Sequence, residues 1–269
     1  MASQFNNYRV GKAFKLADID PGETPFLSGS EDAQRERLDR LAVELDELQN
    51  LLHAEGQRKV LLVLQGMDTS GKDGTIRWVF SRTSPLGVRV AAFKAPSADE
   101  LAHDFLWRCH AVVPRAGELA VWNRSHYEDV LVPVVEGWID KAGAKRRYAQ
   151  INDFERLLVE TGTVVVKCML HIGADEQRQR LQARIDEPDK QWKFRLDDLA
   201  VRKKWHDYQR AYDRALGATS TDHAPWYVVP ADSKLHRNLM VARLLVKTLR
   251  EMKPRAPAPN PALAGLVVK

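Results

Sequence analysis

Apolar residues follow two rhythms along this chain. Five short runs are largely apolar: Val60 to Leu64, Val88 to Phe93, Leu119 to Trp122, Val164 to Leu170 and Trp226 to Val229. Continuous apolar runs of this length suit strands covered on both faces. Between them apolar positions recur every three or four residues. Leu38, Leu41, Leu45, Leu48, Leu51 and Leu52 predict an amphipathic helix over 31–55, with Ser28 and Ser30 placed to cap it and Gly56 to stop it. Leu235, Leu239, Ala242, Val246 and Leu249 predict another over 233–252. Shorter helices are expected at 73–82, 98–110, 151–161 and 174–185, and a long charged helix or helix pair over 192–216. The stretch 130–150, interrupted by Pro133, Gly137 and Gly143, yields no clear element. Strands alternating with helices imply an α/β fold, a parallel sheet of about five strands with helices on both faces. No repeat is evident. Residues 1–30 are polar and read as an extended arm, 31–252 as the folded body, and 253–269, where Pro and Ala alternate, as a flexible tail.

The first strand runs into Gly66-Met67-Asp68-Thr69-Ser70-Gly71-Lys72-Asp73-Gly74 and then into a helix. Strand, glycine-bracketed loop and helix make the layout of a phosphate-binding loop, in which backbone N–H groups and the positive helix end surround an anion. Gly66, Gly71 and Lys72 match the G-x-x-x-x-G-K-[ST] pattern, but Asp73 stands where Ser or Thr supplies a magnesium ligand. Lys72 would add a point charge on the transferring phosphates. In a parallel sheet, ligands sit beyond the carboxyl ends of the strands. The segment after the third strand, Asn123-Arg124-Ser125-His126-Tyr127-Glu128-Asp129, falls on that same edge.

Charge adds to this picture. The net charge of +5 over 269 residues points to an anionic partner. Asp68 and Asp129, with Glu128 beside it, form a plausible magnesium site; Glu128 and Asp129 would equally serve as helix caps. Arg124 is either a bidentate phosphate ligand or half of a structural ion pair. The segment from Arg180 to Arg195, broken by Pro188, reads as a basic lid over an anionic substrate or as a solvated charged face. Arg9, Lys12 and Lys15 make the arm basic, suiting a solvated tail or a substrate contact. The histidines, His126 included, lack metal spacing and read as structural. Cys109 and Cys168 read as buried thiols of a reducing compartment. No signal peptide or membrane-spanning run is present, so the cytoplasm is the expected location.

Three motifs together resemble the polyphosphate kinase type 2 family: GMDTSGKDG at 66–74, NRSHYEDVLV at 123–132 and DEPDKQWKF at 186–194. PWYVVPADSKLHRN at 225–238 is similar to that family's last strand and following helix. One departure is Arg195-Leu196, where a smaller polar residue is expected after the WKF triplet. The resemblance implies a three-layer αβα P-loop kinase fold like thymidylate kinase, with a helical lid at about 180–200. It implies magnesium-dependent, reversible phosphoryl transfer between inorganic polyphosphate and a nucleotide. Asp68 and Asp129 would hold magnesium, and Lys72 and Arg124 would stabilise the transferring phosphoryl. Gly66, Met67, Thr69, Ser70, Gly71, Asp73 and Gly74 would line the phosphate site, with Arg184, Lys190 and Lys193 gripping the polyanion from the lid. Asn123, Arg124 and Glu128 would contact the nucleotide. NRSHYEDVLV is similar to the class that accepts both AMP and ADP. Alternatives are an ADP-only enzyme or an ATP-dependent nucleotide kinase; a nucleic-acid-binding P-loop protein would rest on the positive charge alone. A homo-oligomer is expected, with neither nucleic acid nor membrane as partner.

Overall fold

The computed structural model describes residues 2–11 and 14–268. Lys12 therefore lies outside the described residues. In chain order the elements are α1 (Ala2–Asn6), α2 (Glu31–Glu55), β1 (Lys59–Gln65), α3 (Lys72–Val79), β2 (Val88–Ala92), α4 (Ala98–Ala102), α5 (Trp107–His110), β3 (Leu119–Asn123), α6 (Glu128–Val135), α7 (Lys141–Glu160), β4 (Thr163–His171), α8 (Ala174–Asp186), a 3₁₀ turn (Pro188–Lys193), α9 (Leu196–Lys203), α10 (Trp205–Thr219), β5 (Trp226–Pro230) and α11 (Lys234–Met252). The five strands form one parallel sheet in the order β2-β3-β1-β4-β5. From β1 the chain goes first to the β2 edge, returns to β3, and only then crosses to β4. The change of direction lies beside β1, so a crevice opens at the carboxyl end of that strand.

Alternate residues of the strands feed two cores. Leu61, Val63, Ala120, Trp122, Met169 and Val228 pack with the face that includes Val130, Ile151 and Tyr212. Val60, Leu62, Leu64, Val121, Cys168 and Val229 pack with Leu45, Leu52, Leu239 and Leu245. Apart from the half-exposed edge strand β2, this is the sheet covered on both faces that the apolar runs predict. The apolar faces of α2 and α11 are consumed in this second core. Both cysteines are buried, and burial pushes each thiol up to about 12. Among the described residues, no helix is long and apolar enough to cross a membrane.

Caps explain most helix limits. Ser30 accepts from the Ala33 amide at the start of α2, and Gly56 ends it at φ +64°. The stretch without a predicted element contains most of α6 and the first half of α7. Asp140 caps α7 through the Gly143 amide at 2.6 Å. Gly143 therefore sits in a capped first turn, where it does not interrupt the helix. Over 98–110 the single expected helix is two, because the Asp104 carboxylate takes the Leu106 amide and turns the chain between them. Over 192–216 the chain forms the helix pair α9 and α10.

The first thirty residues are not a solvated tail. Phe5, Tyr8, Val10, Leu16 and Phe26 are all buried. Arg9 pairs antiparallel with Tyr227, the Val10 amide donates to the Trp226 carbonyl, and the Val228 amide donates to the Tyr8 carbonyl. The segment straps the outer edge of β5 and closes a row of otherwise unpaired backbone groups. Its apolar residues follow neither helical nor strand periodicity, which is why pattern alone reads it as an arm.

His171, at the end of β4, is buried near Ile19 and Asp20 of this strap, and burial pulls its imidazole down to about 4. The unfolded chain, with an ordinary histidine near 6.5, takes up this proton first as pH falls. The contribution is intact above about pH 6.5 and is lost on descent toward pH 4, on the order of 3 kcal/mol when complete. His126 and His236 shift in the same direction through burial. Thermal melts between pH 7 and 4 should show this loss, and His171→Gln should flatten it; a variant with the wild-type slope would remove His171 as its source.

Candidate active site

At the end of β1 the chain turns at Gly66, where a Cβ would lie 2.6 Å from both the Leu170 carbonyl and Ser70 Oγ. Thr69 then adopts φ +65° and Gly71 φ +100°. A non-glycine residue in the left-handed region is uncommon and clusters where backbone geometry serves a site. Within the loop the Ser70 amide donates to the Met67 carbonyl at 3.1 Å. The Thr75 amide, bonded to the Gly71 carbonyl at 2.9 Å, begins the α3 ladder. The amides of residues 71–74 thus precede that ladder and stand at the positive end of the helix, the arrangement that receives anions. Lys72 is buried, with Nζ donating to the carbonyls of Gly66 at 2.7 Å and Met67 at 3.3 Å. Burial and the neighbouring Arg124 pull its pKa down to about 8, against Asp68, Glu128 and Asp73.

Facing the loop, Arg124 leaves the end of β3 at φ +60°. Its guanidinium lies 2.7 Å from Asp68 Oδ1 and 3.4 Å from Glu128 Oε2. Burial works against this charge, but Glu128 and Asp68 outweigh it and raise the pKa. Gln65 donates to Glu128 Oε1 at 3.0 Å, and Asn123 donates to Asp73 Oδ1 at 2.6 Å. Residues from two loops that are separate in sequence, 66–73 and 123–128, therefore meet at the crevice beside β1. Glu128 and Asp129 also occupy the first turn of α6, as acidic residues at a helix start do.

Asp129 is engaged elsewhere. Its carboxylate accepts from Arg108 Nη2 at 3.1 Å, and its carbonyl accepts from Arg147 at 2.6 Å. Burial pushes its pKa up, and Arg108 opposes that. Asp68 and Asp129 thus share no partner; the carboxylate opposite Asp68 across Arg124 is Glu128. Among the described residues no three His, Cys, Asp or Glu side chains form a metal cage. The oxygen donors at the crevice do fit magnesium, which takes one or two carboxylates and completes its shell with phosphate oxygens and water.

The basic segment divides. Arg180 is not part of a lid: it donates to the carbonyls of Thr69 at 3.0 Å, Ala231 at 2.8 Å and Asp232 at 2.6 Å, bracing the loop from behind. Gln177, one turn earlier, donates to the Asp68 carbonyl at 3.2 Å. Beyond this anchored root, Arg184 donates to the Lys193 carbonyl at 3.2 Å and lies 3.6 Å from Asp198. Lys190 pairs with Glu187, and Lys193 stands 4.9 Å from the centre of the Trp192 ring. Trp192 is 77% exposed and Leu196 79%.

Beneath the 123–129 segment lies a fully buried polar network. Lys167 Nζ donates to Glu155 Oε2 at 2.6 Å, to the Thr219 carbonyl at 2.8 Å and to the Tyr127 hydroxyl at 2.9 Å. Tyr127 in turn donates to Glu155 Oε1 at 2.7 Å, and His126 Nε2 stands 3.2 Å from the same oxygen. Burial pushes Glu155 up, but Lys167 and His126 more than reverse it and hold its carboxyl below the ordinary range. His126 is structural, as its isolation from other ligating residues implies. Gln65, Arg108, Gln177 and Arg237 were not singled out by sequence reasoning. Only Gln65, a polar residue closing an apolar strand, carried a local signal.

Three comparisons bear on this site. A family model described as Polyphosphate kinase 2 (PPK2) matches residues 28–257. The chain is 50% identical over 256 residues to an "AMP/ADP-polyphosphate phosphotransferase" of Meiothermus ruber, covering 95% of this chain and 96% of that protein. It is 41% identical to an "ADP-polyphosphate phosphotransferase" of Rhodopseudomonas palustris, covering 97% and 95% of the two chains. The structure is similar to the crystal structure of polyphosphate kinase 2 from Arthrobacter aurescens TC1, with a TM-score of 0.92, 46% identity and coverage of 94% and 91%.

Proposed function

Since this chain belongs to the polyphosphate kinase 2 family, we propose that it transfers a phosphoryl group reversibly between inorganic polyphosphate and AMP or ADP. The observation that carries the proposal is the meeting of Lys72, Arg124, Asp68 and Glu128 at the mouth of the glycine loop. Phosphoryl transfer asks a protein mainly for positioning and for cations where charge accumulates. In this reading the amides of 71–74 and Lys72 bind the transferring phosphoryl, with Gly66, Met67, Thr69 and Ser70 shaping the cradle. Arg124 moves from its carboxylates to the phosphate oxygens, and Glu128, with Asn123, places the acceptor. Asp68, joined by Asp129 once Arg108 releases it, would hold magnesium, which would neutralise charge on neighbouring phosphates. Residues 31–252 make the catalytic body. Residues beyond Arg180, to about 200, form a lid hinged where Arg180 anchors α8, and Arg184, Lys190 and Lys193 turn toward the polyanion when it closes. Self-association is part of the same proposal, through surface other than the α2 and α11 faces.

Acceptance of AMP as well as ADP is supported by the first relative's name, while the second relative is named for ADP alone. Purified protein with magnesium, long-chain polyphosphate and either AMP or ADP tests the reading, with products separated by chromatography. ADP and ATP formed from AMP is the expected result. ATP from ADP alone would narrow the acceptor, and transfer from ATP but not from polyphosphate would overturn the donor. Within the lid, Lys193→Ala should raise the KM for polyphosphate about tenfold and leave the KM for nucleotide within twofold, the loss of one charge contact to a polyanion. Equal changes in both would sink the lid assignment.

A further inference from the structure

Behind the glycine loop, in the early turns of α11, Arg237 is only 3% exposed. Its Nη1 donates to the Ser70 carbonyl at 3.2 Å, and Nε and Nη2 donate to Asn238 Oδ1 at 3.2 and 2.9 Å. Among the described residues no carboxylate lies within ion-pair distance of it. Two other buried cations have carboxylates, Lys167 with Glu155 and Arg108 with Asp129, while Lys72, which belongs to the same loop, has only carbonyls. The charged neighbour that Arg237 does feel is another cation, Arg180; burial first and Arg180 second pull its pKa down to about 9. A buried charge without a partner is strongly unfavourable unless something supplies the opposite charge.

The loop is moulded onto this guanidinium. A Cβ at Gly71 would fall 1.8 Å from Arg237 Nη1, and one at Gly74 would fall 3.1 Å from Nη2. Gly71 is therefore required by the cation behind the loop as well as by its φ of +100°, and Gly74 leaves the guanidinium room. The contact to Ser70 has a directional consequence. In a trans peptide the C=O and the following N–H point to opposite sides, and among the described residues no peptide is cis. Drawing the Ser70 carbonyl backward turns the Gly71 amide forward, and that amide precedes the α3 ladder.

We infer that Arg237 is a positioning residue of the phosphate loop, orienting the Ser70–Gly71 peptide from behind, and that the loop-bound phosphate is the missing counter-ion of its buried charge. The inference rests on the reading of residues 66–74 as the site that holds polyphosphate. Arg237 touches no substrate in this arrangement; it acts through the peptide and through its field, which is strong across a thin, water-excluded layer. Anion binding and folding are then linked, because the ligand relieves a penalty that the unliganded protein carries.

The test uses the full chain, inorganic tripolyphosphate as the probe, and the variants Arg237→Met, Arg237→Gln and Arg237→Lys. Melting temperatures are measured with and without tripolyphosphate, and its affinity is measured by calorimetry. Wild-type protein should be stabilised by the anion. Without ligand, Arg237→Met should melt within about 4 °C of wild type, a change of about one kcal/mol for a chain of this size. The loss of the buried charge and of its hydrogen bonds offset each other, and Arg180 remains 3.5 Å from the Ser70 carbonyl. Its tripolyphosphate affinity should fall about tenfold, with the ligand-induced rise in melting temperature reduced to match. Arg237→Gln, which keeps a neutral donor for Ser70, should lose affinity nearly as much; Arg237→Lys, which keeps the charge, should recover part of it. A large drop in unliganded stability with affinity unchanged to within twofold would make Arg237 a structural brace and overturn the inference. If Arg237→Met does not fold, the Gln and Lys pair decides: equal affinities for the two would overturn it. Wild-type protein that binds no tripolyphosphate would bring down the loop reading and this inference together.

Discussion

Lys72→Met should lower phosphoryl transfer by roughly three orders of magnitude, the range found when one preorganised charge is withdrawn from a transferring group. The structure separates this loss from misfolding. Lys72 is buried, and its ammonium is met only by the carbonyls of Gly66 and Met67, with no carboxylate in ion-pair contact among the described residues. Methionine retains the length and apolar stem. It also removes a charge that burial already disfavours, enough to bring the lysine down to about 8. The Asp68–Arg124 contact at 2.7 Å is untouched. Unfolding free energy should therefore stay within about 1 kcal/mol of wild type, because the lost hydrogen bonds and the relieved desolvation offset one another. Initial rates with polyphosphate and ADP, set beside a denaturant titration, check both halves. Retention of more than a tenth of the wild-type rate would remove Lys72 from the transfer step.

The second large effect lies in the buried network. Lys167→Met leaves the Glu155 carboxylate in the core without its cation, and should destabilise the protein by about 3–5 kcal/mol. Every member of the pair is fully buried, so solvent screening does not soften the loss. Lys167→Met combined with Glu155→Leu should recover more than half of it, since no unpaired charge remains. Denaturant unfolding of the two single variants and the double variant gives the coupling directly. A double variant as unstable as the sum of the singles would show that the two residues do not act as a pair. Tyr127 and His126 hang from Glu155 and lie immediately before Glu128, so the single variants should also slow turnover beyond their effect on the folded fraction.

These two sites differ in how far sequence reveals them. The glycine loop is a contiguous signal: an apolar run, a fixed glycine spacing, a lysine and a helix. Four strands are visible for the same reason, since burial on both faces leaves a largely apolar trace, and the half-exposed edge strand β2 still shows as a short apolar run broken by Arg89. Arg124, Glu128 and Asp73 are visible as candidates through their places at strand and helix ends. Their pairing is not, because register between β1 and β3 sets which side chains meet, and among the described residues Asp68 and Glu128 share Arg124. Asp129 illustrates the limit. Nothing near it in sequence announces Arg108, which comes from α5, 21 residues earlier. Arg180 and Arg237 are harder still. A charged residue in a charged helix looks solvated unless its neighbours in space are known, and both prove to sit behind the loop. Lys167 lies in an apolar strand and does carry a signal, an isolated charge within a buried run, but its partner Glu155 reads as the polar face of α7.

The strap on β5 bears on how the chain is made. Arg9 and Tyr227 pair across a separation of 218 residues. During synthesis the first residues emerge long before their partner strand exists. The central strands β1, β3 and β4 pair over shorter separations, so the sheet can grow outward from β1 while the β5 position is still unfilled. Phe5, Tyr8 and Phe26 must meanwhile wait in water or on a chaperone, and the edge that β5 presents on arrival remains open until they return. Closure of the sheet is thus a late event that joins segments 218 residues apart. The interval before it is when the nascent protein is most exposed to pairing with another copy.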